Sequence, residues 1–399
     1  MASPHLEMYT TAEAETAAEA LNELESLRLY FRSAVPESAT KPVSLRIVAF
    51  SSEWEYQVFR LNSYSPAYFV GGSDQRTIVL GRLARQNLTA LRHEYIHALA
   101  QESGWHLPLW LGEGLADQLA GMDAPRVRFR ATLLKRQGLL PIRELTSVNS
   151  PHADEAAALR FYASSWALTH LLFTEAPYRD CIWTFLKGGD ARLETLLALS
   201  GRTEEQLQSD LDQHVGRLNP VPPPEGTARG GVRCDVMAEE DTSVQLTLAR
   251  LQVDLGNLDG ARTRLANLTE AARMQPAYWG LMGDVALRQS NDSEARYSYE
   301  KAMDLGSEEV PLLTRLAMLN QTRPEVIPVL ERILALSPGD DAARLVLTSH
   351  YVQQKRWPEA MAQLRRVREV PPDRQDYYSH AMAFVASHLE PSSVMLSTR

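Results

Sequence analysis

A spacing of 34 residues recurs through the second half of the chain and restricts the folds that are open to it. The repeated positions hold small or apolar side chains in four sets: Ala261, Leu265 and Leu268; Ala295, Tyr299 and Ala302; Val326, Leu330 and Ile333; Ala360, Leu364 and Val367. The first residues of successive sets are 34, 31 and 34 residues apart, and each set has the spacing of one helix face. The pattern predicts helix pairs that bury their apolar faces against neighbouring pairs.

This periodicity resembles that of tetratricopeptide (TPR) repeats, in which small residues lie where the two helices cross and prolines such as Pro338 and Pro372 close a unit. The resemblance implies an all-α solenoid of about four helix pairs over residues 241–395, with a groove for a protein partner. The sequence also predicts a capping helix at about Tyr377 to His388. The 31-residue step predicts a shortened turn near Gln321-Thr322-Arg323. An irregular helical bundle is the alternative.

A proline- and glycine-rich segment divides the chain. Asn219 to Gly226 contains four prolines and is soon followed by Gly230-Gly231, which predicts a linker over residues 218–240. Before it, strand-like runs come first and helices follow, so residues 1–217 are predicted to form an α+β domain. The predicted elements are a short strand around 6–10, a strand at 44–50, a hairpin over 68–80, and helices at 11–34, 87–103, 108–120, 128–137, 158–175 and 190–216.

Composition excludes several classes of protein. No apolar run reaches the length of a membrane-spanning helix, and the net charge of −9 disfavours a general nucleic-acid binder. Two cysteines, Cys181 and Cys234, favour two inert thiols over a single bridge. The first residues have neither a basic region nor an apolar core, so the chain as it stands is expected in the cytoplasm; a chain trimmed of a leader would be exported or periplasmic.

The most specific chemical signal is the motif His93-Glu94-Tyr95-Ile96-His97. Two histidines four residues apart on a helix lie on one face, so both imidazoles can bind one metal ion. Glu94 would lie beside the metal, where its carboxylate can take a proton from water. Two solvated histidines on a helix are the alternative interpretation.

The segment that follows offers a third ligand. Catalytic zinc often has two histidines and a glutamate as ligands, and Glu113 lies on the next predicted helix. Gly112 and Gly114 remove bulk where two helices would approach closely. Asp117, one helical turn after Glu113, could accept the second ring proton of a ligand histidine, most naturally His93. Surface carboxylates are the alternative for both acids.

The sequence HEYIH followed by LWLGEGLAD resembles the gluzincin metallopeptidases, whose third zinc ligand is a glutamate. The stretch from Ser3-Pro4-His5 through residues 46–50 to residues 161–168 resembles bacterial peptidase-MA-like domains fused to TPR repeats. With the repeats included, the resemblance covers nearly the whole chain. The resemblance implies one Zn²⁺ per chain, held by His93, His97 and Glu113, with Glu94 as general base. The motif that anchors a substrate amine in gluzincin aminopeptidases is absent, which favours an endopeptidase.

Two further features complete the predicted active site. Tyr162 is the candidate donor to the developing oxyanion, as related gluzincins use a Tyr or His from a later segment; a core tyrosine is the equally weighted alternative, and His170 is a weaker candidate. The hairpin over 68–80 is predicted to present an edge strand to an extended substrate, with Gly71 and Gly72 allowing close backbone approach unless they only form a turn.

The predicted function is therefore zinc-dependent hydrolysis of peptide bonds, with peptide or protein substrates and a protein partner for the TPR domain. The alternative is a TPR interaction scaffold whose zincin domain is structural or inactive. An intact Glu94 favours the enzyme, because a structural zinc site has no use for a base at that position.

Overall fold

The computed structural model describes residues 1–34, 45–61, 66–71, 76–150, 154–220, 222, 241–368, 370 and 375–389. The chain divides into two compact units, Met1–Ala238 and Glu239–Arg399. Most of the predicted linker, together with Cys234, lies outside the described residues. Cys181 is a partly buried free thiol. Among the described residues, no helix combines the length and the apolar character needed to cross a membrane.

The first unit begins with a four-stranded mixed sheet. Its strands are β1 (Leu6–Thr10), β2 (Leu45–Ala49), β3 (Ala67–Gly71) and β4 (Arg76–Leu80). In the spatial order β1-β2-β4-β3, the first three strands are parallel, and β3 pairs antiparallel with β4 at the edge. The predicted strand at 44–50 and the predicted hairpin are confirmed as β2 and the β3–β4 pair.

Ten α-helices of the first unit accompany this sheet in the described residues. They are α1 (Ala14–Ala34), α2 (Glu53–Tyr56), α3 (Leu88–Glu102), α4 (Leu109–Ala120), α5 (Ala124–Gln137), α6 (Ile142–Ser147), α7 (Glu155–Thr174), α8 (Tyr178–Lys187), α9 (Leu193–Ser200) and α10 (Glu204–His214). The single helix predicted over 190–216 is wrong. Gly201 adopts a left-handed conformation (φ 66°) that ends α9, and Thr203 caps α10 in a capping box with Gln206.

Helix α3 is held against the sheet by its apolar face. Leu91, Tyr95 and Leu99 are almost completely buried and belong to one core cluster with Ile47 and Ile78 of the sheet. This face follows the i, i+4, i+8 spacing, so His93 and His97 project from a different side of the helix. The packing therefore fixes the direction in which the side chains of the HExxH motif project.

Helices α4 and α7 cross at Gly114. A Cβ atom built there would lie 2.1 Å from Thr169 Oγ1 and 2.6 Å from the backbone oxygen of Ser165. A Cβ atom at Gly112 would meet only Leu107 Cβ, at 4.0 Å. The predicted need for small residues thus applies to Gly114, whereas Gly112 has room for a side chain.

Replacing Gly114 by alanine should destabilise the first unit by about 1–3 kcal/mol, because the backbone of α7 cannot move away without opening the core. The matched Gly112→Ala variant should leave stability unchanged or raise it slightly, since alanine is the better helix former. Urea unfolding followed by circular dichroism measures both. Equal stability of the two variants would contradict the close crossing.

His170 lies in the core, paired with His214. The Nδ1 atom of His170 is 2.7 Å from Nε2 of His214, and the two residues are only 4% and 1% exposed. Burial, with a smaller contribution from His214, lowers the pKa of His170 to about 4. Burial also lowers the pKa of His214, although Glu175 opposes this shift. One ring must donate to the other, so the pair is stable in its neutral form.

The pair should make stability depend on pH. Between pH 6.5 and pH 4 the unfolded chain binds more protons than the folded chain at these histidines, so stability should fall as the pH is lowered through this range. The variant His170→Gln should show a shallower loss of stability between pH 7 and pH 5 than the parent. His106→Gln, at an exposed histidine, is the control. Parallel pH profiles for all three proteins would argue against the pair's role.

The second unit consists of helices over its described residues. They are α11 (Asp241–Asp254), α12 (Leu258–Ala266), α13 (Glu270–Arg273), α14 (Pro276–Arg288), α15 (Asp292–Asp304), α16 (Val310–Leu319), α17 (Val326–Leu336), α18 (Asp341–Gln353), α19 (Trp357–Leu364) and α20 (Gln375–Leu389). The predicted final helix is confirmed as α20. Helices α14 and α15 pack too closely at Gly283 for a side chain, because a Cβ atom there would lie 2.4 Å from the ring of Tyr299 on α15.

The 31-residue step is not located where the sequence predicted it. The turn between α16 and α17 spans residues 320–325 and is longer than the three-residue turns at 289–291 and 354–356. Asp284 and Ala295 are 11 residues apart, as are the equivalent Arg315 and Val326, so the spacing within the unit is unchanged. The missing residues come from α16 itself, which has 10 residues where α14 and α18 have 13. Val310 follows Ala302 by eight residues, just as Pro276 follows Leu268 and Asp341 follows Ile333.

A buried carboxylate links three successive units. Asp284 accepts a hydrogen bond from the Tyr299 hydroxyl at 2.6 Å and forms ion pairs with Arg250 and, at 3.1 Å, with Arg315. Residues 250, 284 and 315 occupy equivalent positions on α11, α14 and α16, because they follow the repeat steps of 34 and 31 residues. The neighbouring units are thus held together by charge as well as by apolar packing.

Candidate metal centre

His93 and His97 project from α3 toward Glu113 on α4. Gly104, with φ 72°, ends the turn after α3, and Pro108 is the N-cap of α4, so the two helices form a hairpin. The Nε2 atoms of the two histidines are 3.2 Å apart. The Glu113 carboxylate lies 3.3 Å from Nε2 of His93 and 3.7 Å from Nε2 of His97.

These three side chains have the donor set of a catalytic zinc site. One ligand atom from each lies within 4.8 Å of the others, and in the part of the chain that the structure describes, no other group of three such side chains has this geometry. Two imidazole nitrogens and a carboxylate oxygen suit Zn²⁺, which takes three protein ligands in catalytic sites and leaves a position open. The residues fit the ion that the sequence predicted.

Asp117 lies behind His93, where the sequence placed it. Its Oδ1 atom is 2.9 Å from Nδ1 of His93, which leaves the Nε2 atom of the histidine directed toward Glu113. The second oxygen of Asp117 forms an ion pair with Arg130 of α5. Arg130 in turn lies over the ring of Trp166 at 5.7 Å and donates to the Tyr162 carbonyl at 3.3 Å. A buried aspartate thus orients the histidine and is itself neutralised.

Arg130 is the functional residue that sequence reasoning missed. It belongs to no motif and is 13 residues from Asp117, on a different helix. A buried aspartate on a predicted ligand helix does require a cationic partner, because an unpaired buried charge is costly. That requirement gives no indication of which arginine supplies the charge.

The charges of the site act on one another. Burial alone would lower the pKa of His93, but Asp117 and Glu113 outweigh it and hold that pKa well above the usual value. Burial would raise the pKa of Glu113, yet the two histidines hold it far below its usual range. Burial is likewise overcome at Asp117, whose pKa is lowered by Arg130 and His93. Both carboxylates are therefore ionised and can receive a cation.

Glu94 differs from these two carboxylates. Burial raises its pKa, and the opposing influence of His93 and His97 does not cancel the shift. A hydrogen bond from the backbone of Phe69 also stabilises its charged form. Phe69 belongs to the edge strand β3, so the general base predicted from the motif lies between the candidate metal ligands and that strand.

The other predicted site residues have less definite positions. Gly71 ends β3 beside α3, and a Cβ atom there would lie 2.9 Å from the Gln101 amide. Gly72 lies outside the described residues. Tyr162 is half-buried in α7, with its ring packed at 5.6 Å against Phe161. Its backbone, through Arg130, is part of the support behind Asp117.

Comparison with known proteins bears on the second unit. Residues 237–285 and 317–383 match the tetratricopeptide repeat family. The second unit contains TPR repeats. The match and the succession of helix pairs agree with the predicted solenoid, and they carry the general expectation of a protein or peptide partner. No curated protein matches the chain.

Several solved structures are similar to the chain at low identity. "YrrB: a TPR protein with an unusual peptide-binding site" is 20% identical and matches 38% of this chain and 80% of its own, with a TM-score of 0.32. TTC0263, a thermophilic TPR protein of Thermus thermophilus, is 16% identical over 53% of this chain and 96% of its own, with a TM-score of 0.24. The Cut9-Hcn1 hetero-tetramer of the APC/C is 14% identical, and the match covers 76% of this chain and 52% of its own, with a TM-score of 0.25.

Zinc titration should separate the roles of Glu113 and Asp117. Glu113→Ala removes one of three ligands and should abolish tight binding, whereas Asp117→Ala should weaken binding by about 10- to 100-fold, since only the orientation of His93 is lost. Competition with a chromogenic chelator ranks the variants, and Glu144→Ala, at an exposed glutamate, is the control. Parent-like affinity in Glu113→Ala would mean that the third ligand lies elsewhere.

Proposed function

We propose that the first unit is a zinc-dependent endopeptidase of the gluzincin type. The observation that supports this most strongly is the convergence of His93, His97 and Glu113 within 4.8 Å, with the partly buried Glu94 beside them. A structural zinc site would need the ligands alone. A base next to an incompletely ligated metal is what hydrolysis requires.

Each protein group has a defined task in this reaction. Bound zinc would polarise the scissile carbonyl and lower the pKa of water at the open position. The Glu94 carboxylate takes the proton from the attacking water and transfers it to the leaving amine. Its raised pKa suits this exchange, because a base that is too weak cannot accept the proton. Asp117 keeps the proton of His93 on Nδ1 and so leaves Nε2 free to bind the metal.

The edge strand β3 offers a place for the substrate. Within the described sheet, β3 pairs only with β4, so its other edge can accept an extended peptide as an added strand. Glu94 lies next to Phe69 of this strand, and a peptide paired along β3 would therefore run past the base. Tyr162 is proposed as the donor to the developing oxyanion, by analogy with the tyrosine of related gluzincins.

The TPR repeats supply a second function, protein interaction, and suggest that a partner or substrate binds to the second unit. The alternative function is a scaffold in which the first unit has lost its activity. The TPR match supports protein interaction and is therefore closer to that alternative, whereas it does not bear on peptide hydrolysis. The two proposals differ in whether the protein needs the Glu94 carboxylate as a general base.

The variant Glu94→Gln should retain zinc and fold but lose peptide hydrolysis by about 10²- to 10⁴-fold, since an amide cannot act as a base. A library of internally quenched peptides measures cleavage, and Glu144→Gln, at an exposed glutamate, serves as the matched control. Parent-like cleavage by Glu94→Gln would overturn the mechanism. A zinc-loaded parent that cleaves no peptide would favour the scaffold.

A further inference from the structure

The first unit contains a cavity of about 410 Å³ that is separate from the candidate metal centre. Its floor is formed by the first residues of the three parallel strands, Leu6, Leu45 and Arg76, and the curled N-terminal segment encloses it on one side. Cavities of this size hold small molecules in many proteins.

Helix α3 separates the cavity from the metal ligands. Tyr95, Ala98 and Glu102 line the cavity, whereas His93 and His97 lie on the other side of the helix. At 100° per residue, Tyr95 and Glu102 are rotated by about 160–200° from the direction of His93. The cavity therefore needs its own explanation, independent of the proposed peptidase.

Two buried hydrogen-bond donors that line this cavity have no acceptor. The Nε atom of Arg76 and the hydroxyl of Tyr95 are shielded from solvent, and neither has an acceptor for its hydrogen. Tyr95 is only 1% exposed. The neighbouring Arg28 can only donate, so it offers no acceptor to the hydroxyl proton. Leaving buried donors unsatisfied costs free energy, and both donors would be satisfied by a hydrogen-bond acceptor bound in the cavity.

The carboxylates around the cavity are already engaged. Glu102 accepts two hydrogen bonds from Arg28, at 2.8 and 2.9 Å, and also pairs with Arg32 at 2.9 Å. Glu7 pairs with Arg46 at 2.8 Å. Neither acid is in hydrogen-bond contact with the Nε atom of Arg76. The wall of the cavity thus combines a guanidinium with an unused donor and a phenol, which together suit an oxyanion.

We propose that this cavity binds a small ligand through a carboxylate or phosphate group. The oxyanion accepts hydrogen bonds from Arg76 Nε and from the Tyr95 hydroxyl. Arg28, fixed by its two bonds to Glu102, adds positive charge without moving. The apolar residues Leu6, Leu45 and Ala98 contact the rest of the ligand.

The test uses the full chain and thermal unfolding in the presence of defined anions. Acetate and a tripeptide with a free carboxyl terminus probe a carboxylate source, while inorganic phosphate and glycerol 3-phosphate probe a phosphate source, each against chloride at equal ionic strength. A saturable rise in Tm with one class is the expected result, because a ligand that binds only the folded chain stabilises it. The class that acts identifies the source.

Variants distinguish this site from general salt effects. Arg76→Gln and Tyr95→Phe each remove one orphan donor and should weaken binding about tenfold or more. Arg85→Gln removes an exposed guanidinium paired with Glu19 and should retain the parent affinity. Far-UV circular dichroism checks that each variant folds. If no anion binds saturably, or if Arg76→Gln and Tyr95→Phe both bind like the parent, the proposal is wrong.

Discussion

The close crossing of α4 and α7 at Gly114 is the constraint on which the candidate site depends. Glu113 is the preceding residue, so the depth at which α4 packs on α7 determines where this carboxylate lies. Asp117, one turn later on the same helix, is positioned by the same contact. A side chain at position 114 would push α4 outward and displace both acids from the histidines of α3. The apolar packing of α4 on α7 thus determines the positions of the polar side chains in the candidate site.

Burying so much charge requires that every charge has a partner. His93 contacts both Glu113 and Asp117, and Asp117 is shared between His93 and Arg130. This chain of pairs connects α3, α4 and α5, so the orientation of the histidine depends on residues far from the motif. Burial raises the pKa of Glu94, since His93 and His97 oppose this shift without cancelling it and the nearby Glu113 carboxylate adds to it.

The second unit is organised differently. Its helices pack mainly on their nearest neighbours, and equivalent residues such as Arg250, Asp284 and Arg315 meet because the repeat brings them into register. The 31-residue step keeps Arg315 and Val326 in register, because their spacing of 11 residues equals that of Asp284 and Ala295 and only helix α16 is shorter than its equivalents.

The sequence by itself determined the features that follow from local spacing: the i, i+4 histidines with Glu94 between them, the 34-residue repeat, the edge hairpin, and Glu113 with Asp117 on the following helix. Local periodicity sets these, because a helix turns by a fixed angle per residue. Only the tertiary structure decided that Arg130 neutralises Asp117, that Gly114 rather than Gly112 needs to be glycine, that His170 pairs with His214, and that Arg76 and Tyr95 meet at one cavity. Those contacts join residues distant in sequence, and they arise from the packing of whole elements, which no local pattern specifies.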